Sequence, residues 1–290
     1  MRSTVPVHRA ARPGRRPSLP QRCVRLALAA VAVAWCGLPI AMVVVSSFKQ
    51  AGDIFAVPPS IVFAPTLENY QALWAGSPEF FRSLANSAMV TAGATALTIA
   101  VSVAAGYVFA RYRTRFLNGS AFALLLIRML PPITVTVPLF PLVNMARLND
   151  THLLLILLYA AFYVSLGTWI MRAFIAQIPR ELDEAAEVDG ASLLQIVLRV
   201  ILPVASQGVI AVAIFVVVFA WNEFVFALIF TTRDAKTAPV VISEMLGTVE
   251  GVQWGIIFAA ATIQLVPVLA LVLALQRYLV AGLTAGAVKQ

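Results

Sequence analysis

Glu181, Asp183, Glu184, Glu187 and Asp189 crowd into one short stretch of an otherwise apolar chain, and Gly190 closes it. The chemistry open to these carboxylates is ionic. Either they are solvated and balanced by Arg172, Arg180 and Arg199, or a basic surface of another protein receives them. Their order is that of a short helix. Pro179 suits a first helical position, and acids in the opening turns favour the positive end of the helix dipole. Gly190 is placed to end the helix with a left-handed residue. Ala185 and Ala186 keep one face low enough for a close partner. Ala191 and Ser192 then open a second helix, which is expected to run through Arg199 and Leu202-Pro203 as one continuous lever over 191–221.

A second group lies in apolar sequence. Pro131-Pro132 removes two backbone donors, and Pro138 and Pro141 follow, so the surrounding helix must be interrupted. In hydrocarbon such a break is tolerated where neighbouring helices or a water-filled cavity satisfy the freed carbonyls. Arg128 precedes the break. At about 1.5 Å per residue from Gly119 it lies on the order of 13 Å into the bilayer. A guanidinium at that depth marks a transport pathway or binds helix-end carbonyls. No catalytic set accompanies these groups. The histidines are His8 and His152, and there is no serine elbow, metal-spaced cluster or phosphate-binding loop. The chain is read as a non-enzyme that cannot split ATP by itself, with no cofactor or metal of its own.

The elements that position these residues must be membrane helices. Hydrophobic residues make up 61% and charged residues 12% of the 290, and the mean hydropathy is +0.90. Soluble chains run at about 45–50% apolar and roughly 25% charged. Runs long enough to cross about 30 Å of hydrocarbon fall near 26–48, 86–110, 120–143, 153–174, 200–221 and 255–280. Six spans and an all-α integral membrane fold are therefore expected. Arg2, Arg9, Arg12, Arg15, Arg16, Arg22 and Arg25 precede the first span, Arg111, Arg113 and Arg115 follow the second, and Arg172, Arg180 and Arg199 follow the fourth. The intervening loops are poorer in base, so the positive-inside rule puts both termini in the cytoplasm.

The net charge of +8 implies no nucleic acid. The basic tail lacks interleaved aromatics and sits where anionic lipid would attract it. The apolar run after Arg25 is too long for a signal-peptide core and reads as an uncleaved first span. Cys23 and Cys36 suggest no structural disulfide. The expected organisation is a cytoplasmic tail at 1–25, a first span at 26–48 and an extracytoplasmic loop at 49–81 with a short helix at 67–74. A five-helix core follows at 82–281, with the acidic helix at about 180–192, and then a cytoplasmic tail at 282–290.

Glu184-Ala185-Ala186, Gly190 and Leu202-Pro203 at this spacing resemble the EAA signature of permease subunits of type I ATP-binding-cassette importers. The stretch from Ile178-Pro179 to Ala191-Ser192 is similar to the carbohydrate branch that includes the maltose permeases. So are Phe219-Ala220-Trp221-Asn222-Glu223-Phe224, the end of the chain from Gln276 to Lys289, and Ser47-Phe48-Lys49. The resemblance implies that the acidic helix is a coupling helix docked in a cleft of a cytoplasmic ATPase dimer. Glu184 would pair with a basic residue there, Ala185 and Ala186 would pack, and Gly190 would make the bend, with Asp189 and Pro203 in the same coupling segment. Gly282, Gly286 and Lys289 would belong to a tail reaching between ATPase subunits. ATP and Mg would bind that partner. A second homologous permease, an extracytoplasmic solute-binding protein and a sugar cargo complete the implied assembly, in a bacterial cytoplasmic (inner) membrane. Gln290 stands where many members have glycine, and Arg128-Met129-Leu130-Pro131-Pro132 matches the form found in only some members.

For the cargo, Trp221, Asn222 and Glu223 have the stacking and hydrogen-bonding chemistry of a sugar site. Their place at the end of the fifth span equally suits an interfacial anchor and a helix-end or gate contact. Trp74, Trp169 and Trp254 read as interface anchors. The alternative function is an ion-coupled secondary transporter, which calls for carboxylates well inside spans and often for inverted repeats. Here the acids keep to loops and span ends, and no inverted repeat is evident.

Overall fold

The computed structural model describes residues 19–287 except 59, 61, 113 and 248–250, with side chains from residue 22 to residue 274. Every regular element among them is helical. Helix α1 (Leu19–Ser46) leads to two short helices, α2 (Ala51–Ile54) and α3 (Glu68–Gly76). The long α4 (Pro78–Arg111) follows, then α5 (Arg115–Arg128), α6 (Pro132–Met145), α7 (His152–Ile175) and the acidic α8 (Glu181–Val188). Next come a single turn, α9 (Leu193–Gln195), a π-helical stretch (Ile196–Ile201) and another single turn, α10 (Leu202–Val204). The chain finishes with α11 (Ser206–Trp221), α12 (Val225–Phe230), α13 (Ala238–Glu244) and α14 (Trp254–Ala287). Helices α1, α4, α7 and α14 are each long and apolar enough to cross a membrane, and counting each of two bent pairs as one span brings the number to six.

The 34 residues of α4, at about 1.5 Å each, exceed the roughly 30 Å of hydrocarbon. Helix therefore continues past the apolar window, starting at Pro78 with Glu79 in its first turn. The span expected at 86–110 lies within α4, and position 82 falls in the same helix. The proline break holds α5 and α6 at 95° to each other.

The expected continuous lever over 191–221 does not form. A capping box between Ser192 and Gln195 starts the segment. The Leu202 N–H then reaches back five residues to the Val197 carbonyl. This wider turn carries the chain past Pro203, whose ring fills the space an α-helix would give the Arg199 carbonyl. At Ala205 the path bends by 80°. The Ala205 carbonyl accepts from both Gly208 and Val209, so a new helix begins there.

Helices α4, α7 and α11 enclose the main core, around Tyr159, Met171, Ile175 and Val212. Helices α4 and α7 run parallel. Their amino ends meet where Asn86 Oδ1 lies 2.8 Å from His152 Nε2, and their carboxy ends meet around Arg111. At the amino ends a smaller core joins Leu73, Phe80, Ala238, Val241 and Ala259.

Candidate functional site

Helix α8 hangs beneath the joined carboxy ends of α4 and α7. It begins two residues later than Pro179 suggested, with Arg180 as its cap. Its end follows the Schellman pattern. Gly190 has φ +80°, its N–H donates to Glu187 O at 3.0 Å, and the Ala191 N–H donates to Ala186 O at 2.9 Å. The two faces of α8 differ sharply. Ala186 packs against the main core. Glu181, Leu182, Glu184, Ala185, Val188 and Asp189 are exposed, with Val188 88% accessible.

One acid of the run turns inward. Asp183 is buried and takes a two-pronged contact from Arg111 at the end of α4: Nε to Oδ2 at 2.6 Å and Nη2 to Oδ1 at 3.1 Å. Tyr107 Oη donates to the same Oδ2 at 3.2 Å. Arg111 Nη1 donates to the Ile178 carbonyl at 2.9 Å. Arg180 Nη2 returns the contact, donating to the Arg111 carbonyl at 2.7 Å. The balance of acids expected from Arg172, Arg180 and Arg199 is therefore corrected for Asp183. Its partner is Arg111, which sequence reading had counted among the topological charges. Arg172 instead lies over the Trp169 ring at 4.8 Å. Pro203 is exposed just after the π turn.

The second group also assembles in part. Arg128 ends α5 at the break, its guanidinium carbon 5.8 Å from the centre of the Phe219 ring. Its Nη1 is buried without a hydrogen-bond partner among the described residues. Phe219 stacks in turn on Tyr163 and Phe215. Trp221 is buried and ties α11 to α14 by donating Nε1–H to Gln264 O at 3.0 Å. Asn222 Nδ2 donates to Val218 O, and Asn222 borders a groove of about 550 Å³ with Pro39, Val43 and Gln264. Glu223 caps α12, accepting from Phe226 N at 3.0 Å. Trp169 donates Nε1–H to Ala121 O, Trp74 is exposed against Phe81 and Trp254 packs on Phe55. Gly282 and Gly286 lie within α14, whereas Lys289 and most of the basic tail at 1–25 lie outside the described residues.

Sequence reading missed a third constellation. The Asp150 carboxylate accepts from the backbone N–H groups of Thr232, Arg233, Asp234 and Ala235, at 3.2, 3.0, 2.9 and 3.0 Å, and from Thr232 Oγ1. Burial pushes the Asp150 carboxyl up, but these donors outweigh it and hold the pKa at about 2. Asn86 adds Nδ2 contacts to Asp234 O and Lys236 O. The loop before α7 and the loop before α13 are thereby stapled together.

Known proteins resemble this chain in sequence and in fold. Residues 96–285 match the family described as the binding-protein-dependent transport system inner membrane component. A probable ABC transporter permease, y4oR of Sinorhizobium fredii, is 38% identical over 264 residues, covering 88% of this chain and 93% of that protein. The trehalose/maltose transport system permease MalG of Thermococcus litoralis is 33% identical over 256 residues, covering 88% and 92%. In fold, the chain is similar to one chain of a solved bacterial ABC transporter involved in import of the acidic polysaccharide alginate. The TM-score is 0.74, with 19% identity and coverage of 91% and 99%. The chain belongs to the family of inner membrane components of binding-protein-dependent transport systems.

Proposed function

We propose that this chain is one permease subunit of an ATP-driven carbohydrate importer and that α8 is its coupling helix. The observation that carries this reading is the division of α8 into two faces. Asp183 and Ala186 are committed inward, while Glu184, Ala185 and Val188 are presented outward with no partner for the Glu184 carboxylate among the described residues. An exposed carboxylate beside small and apolar side chains suits a cleft with a basic residue. That cleft belongs to a cytoplasmic ATPase dimer, which supplies ATP and Mg. Gly282, Gly286 and Lys289 extend the contact through the chain's end.

The cargo is a sugar delivered by an extracytoplasmic binding protein. The trehalose/maltose relative supports this class of cargo, and the stacked Phe215, Phe219 and Tyr163 beside Arg128 offer faces on which sugar rings pack. Arg128, Pro131 and Pro132 border the pathway, and Asn222 and Glu223 hold helix ends at its gate. The apolar, exposed sides of α1 and α6 meet lipid and a second, homologous permease. Both termini are cytoplasmic in a bacterial inner membrane, and the Asp150 staple is extracytoplasmic.

Purification of tagged chain from its native membrane in mild detergent, followed by mass spectrometry, tests the assembly. The expected result is recovery of an ATPase, a second permease and a binding protein. A stable chain recovered alone that transports without ATP would refute it.

A further inference from the structure

Two routes connect α8 to the membrane core, and they differ in construction. The carboxy-terminal route passes through left-handed Gly190, the π-helical Ile196–Ile201, Pro203 and the 80° bend at Ala205. Each of these interrupts regular helix, so no continuous helical rod links α8 to α11 along this route. The amino-terminal route is a cross-braced joint. Arg111 grips Asp183 of α8 with two nitrogens and the Ile178 carbonyl, at the foot of α7, with the third. Tyr107 holds the same carboxylate from the previous turn of α4. Arg180 closes the ring onto the Arg111 carbonyl. The side chains of Arg111 and Asp183 are only 7% and 10% accessible, so water does not loosen the pair, and a planar fork fixes orientation as well as distance.

We propose that Arg111 and Asp183 are positioning residues that make α8 move as one body with α4 and α7, the bend at Ala205 acting as the compliant joint. This rests on the coupling-helix reading. It predicts which helices follow α8 when the ATPase closes. Spin labels on the assembled complex, in a background with Cys23 and Cys36 replaced by serine, report it without any cargo. One pair is Glu187→Cys with Val101→Cys, linking α8 to α4, and the other is Glu187→Cys with Phe215→Cys, linking α8 to α11.

On trapping with ATP and vanadate, the first distance is expected to stay constant and the second to change. Arg111→Lys, which cannot form the fork, and Asp183→Asn are expected to retain the ATPase but broaden the first distance. They should also lower by at least tenfold the binding-protein stimulation of ATP hydrolysis. A first distance that changes in the native complex overturns the proposal, as do a second distance that stays constant and an unaltered first distance in both variants. Should neither variant assemble, the milder Tyr107→Phe decides: broadening supports the joint, and native behaviour assigns the pair to folding alone. Failure of the coupling reading itself has a separate signature, retention of the ATPase and of ATP-dependent motion by Glu184→Lys.

Discussion

Gly106→Ala probes the packing that brings Arg111 to Asp183. Gly106 faces α7 near the carboxy ends of the two helices. A Cβ built there would sit 2.6 Å from Met171 Cβ, 3.0 Å from the Arg172 backbone nitrogen and 3.2 Å from the Met171 carbonyl carbon. Carbon atoms settle at about 3.5–4.0 Å, so the helices must part by roughly 1 Å. No rotamer change relieves the clash, because the obstructing atoms are a Cβ and backbone, and Met171 is fully buried. Overpacking of this kind costs about 1–3 kcal/mol. At roughly 2–4 °C per kcal/mol for a chain of comparable size, the Tm should fall by about 2–12 °C. Thermal scanning in detergent by size-exclusion fluorescence measures it. Gly119→Ala is the control, since a Cβ there meets nothing within 4 Å and alanine favours helix by about 0.5–1 kcal/mol. A Gly106→Ala protein as stable as the native one, or a Gly119→Ala protein equally damaged, refutes the inferred close packing.

Three further outcomes are expected. Glu184→Lys should leave the chain in the membrane but weaken recovery of the ATPase by at least about tenfold, since charge reversal turns attraction into repulsion; normal recovery and uptake would remove α8 from the coupling role. Arg128→Ala should lower the rate of uptake while leaving the amount of assembled complex unchanged, and intact kinetics or loss of assembly would each count against a pathway position. Asp150 has a folded pKa of about 2 against an ordinary 3.8, so its charge stabilises the staple above about pH 4, and that contribution is lost as pH falls through about 2. Asp150→Asn should flatten the decline of Tm between pH 4 and 2, and a decline as steep as the native one would show that the staple contributes nothing.

The helical membrane class, the apolar spans and the glycine-closed end of α8 were legible because each is a local property. Apolar runs of sufficient length must lie in lipid, Gly190 alone accepts its left-handed turn without strain, and Pro131-Pro132 cannot continue a hydrogen-bonded helix. Other features required the fold. Arg111 and Asp183 are separated by 72 positions, and in the sequence each looks like an ordinary loop charge. Asp150 meets its backbone donors across 82 to 85 positions, and backbone N–H groups carry no sequence signal at all. The bend at Ala205 was missed for a related reason. Pro203 is compatible with a helix's first turn, so the residues alone do not say whether a helix passes through it or restarts. That choice is made by packing, with Gly208 fitted against the Phe174 ring at a distance that leaves no room for a Cβ. Sequence thus determined which segments are helical and immersed, whereas the pairing of distant charges and the direction of each helix end follow from contacts that exist only once the helices have packed.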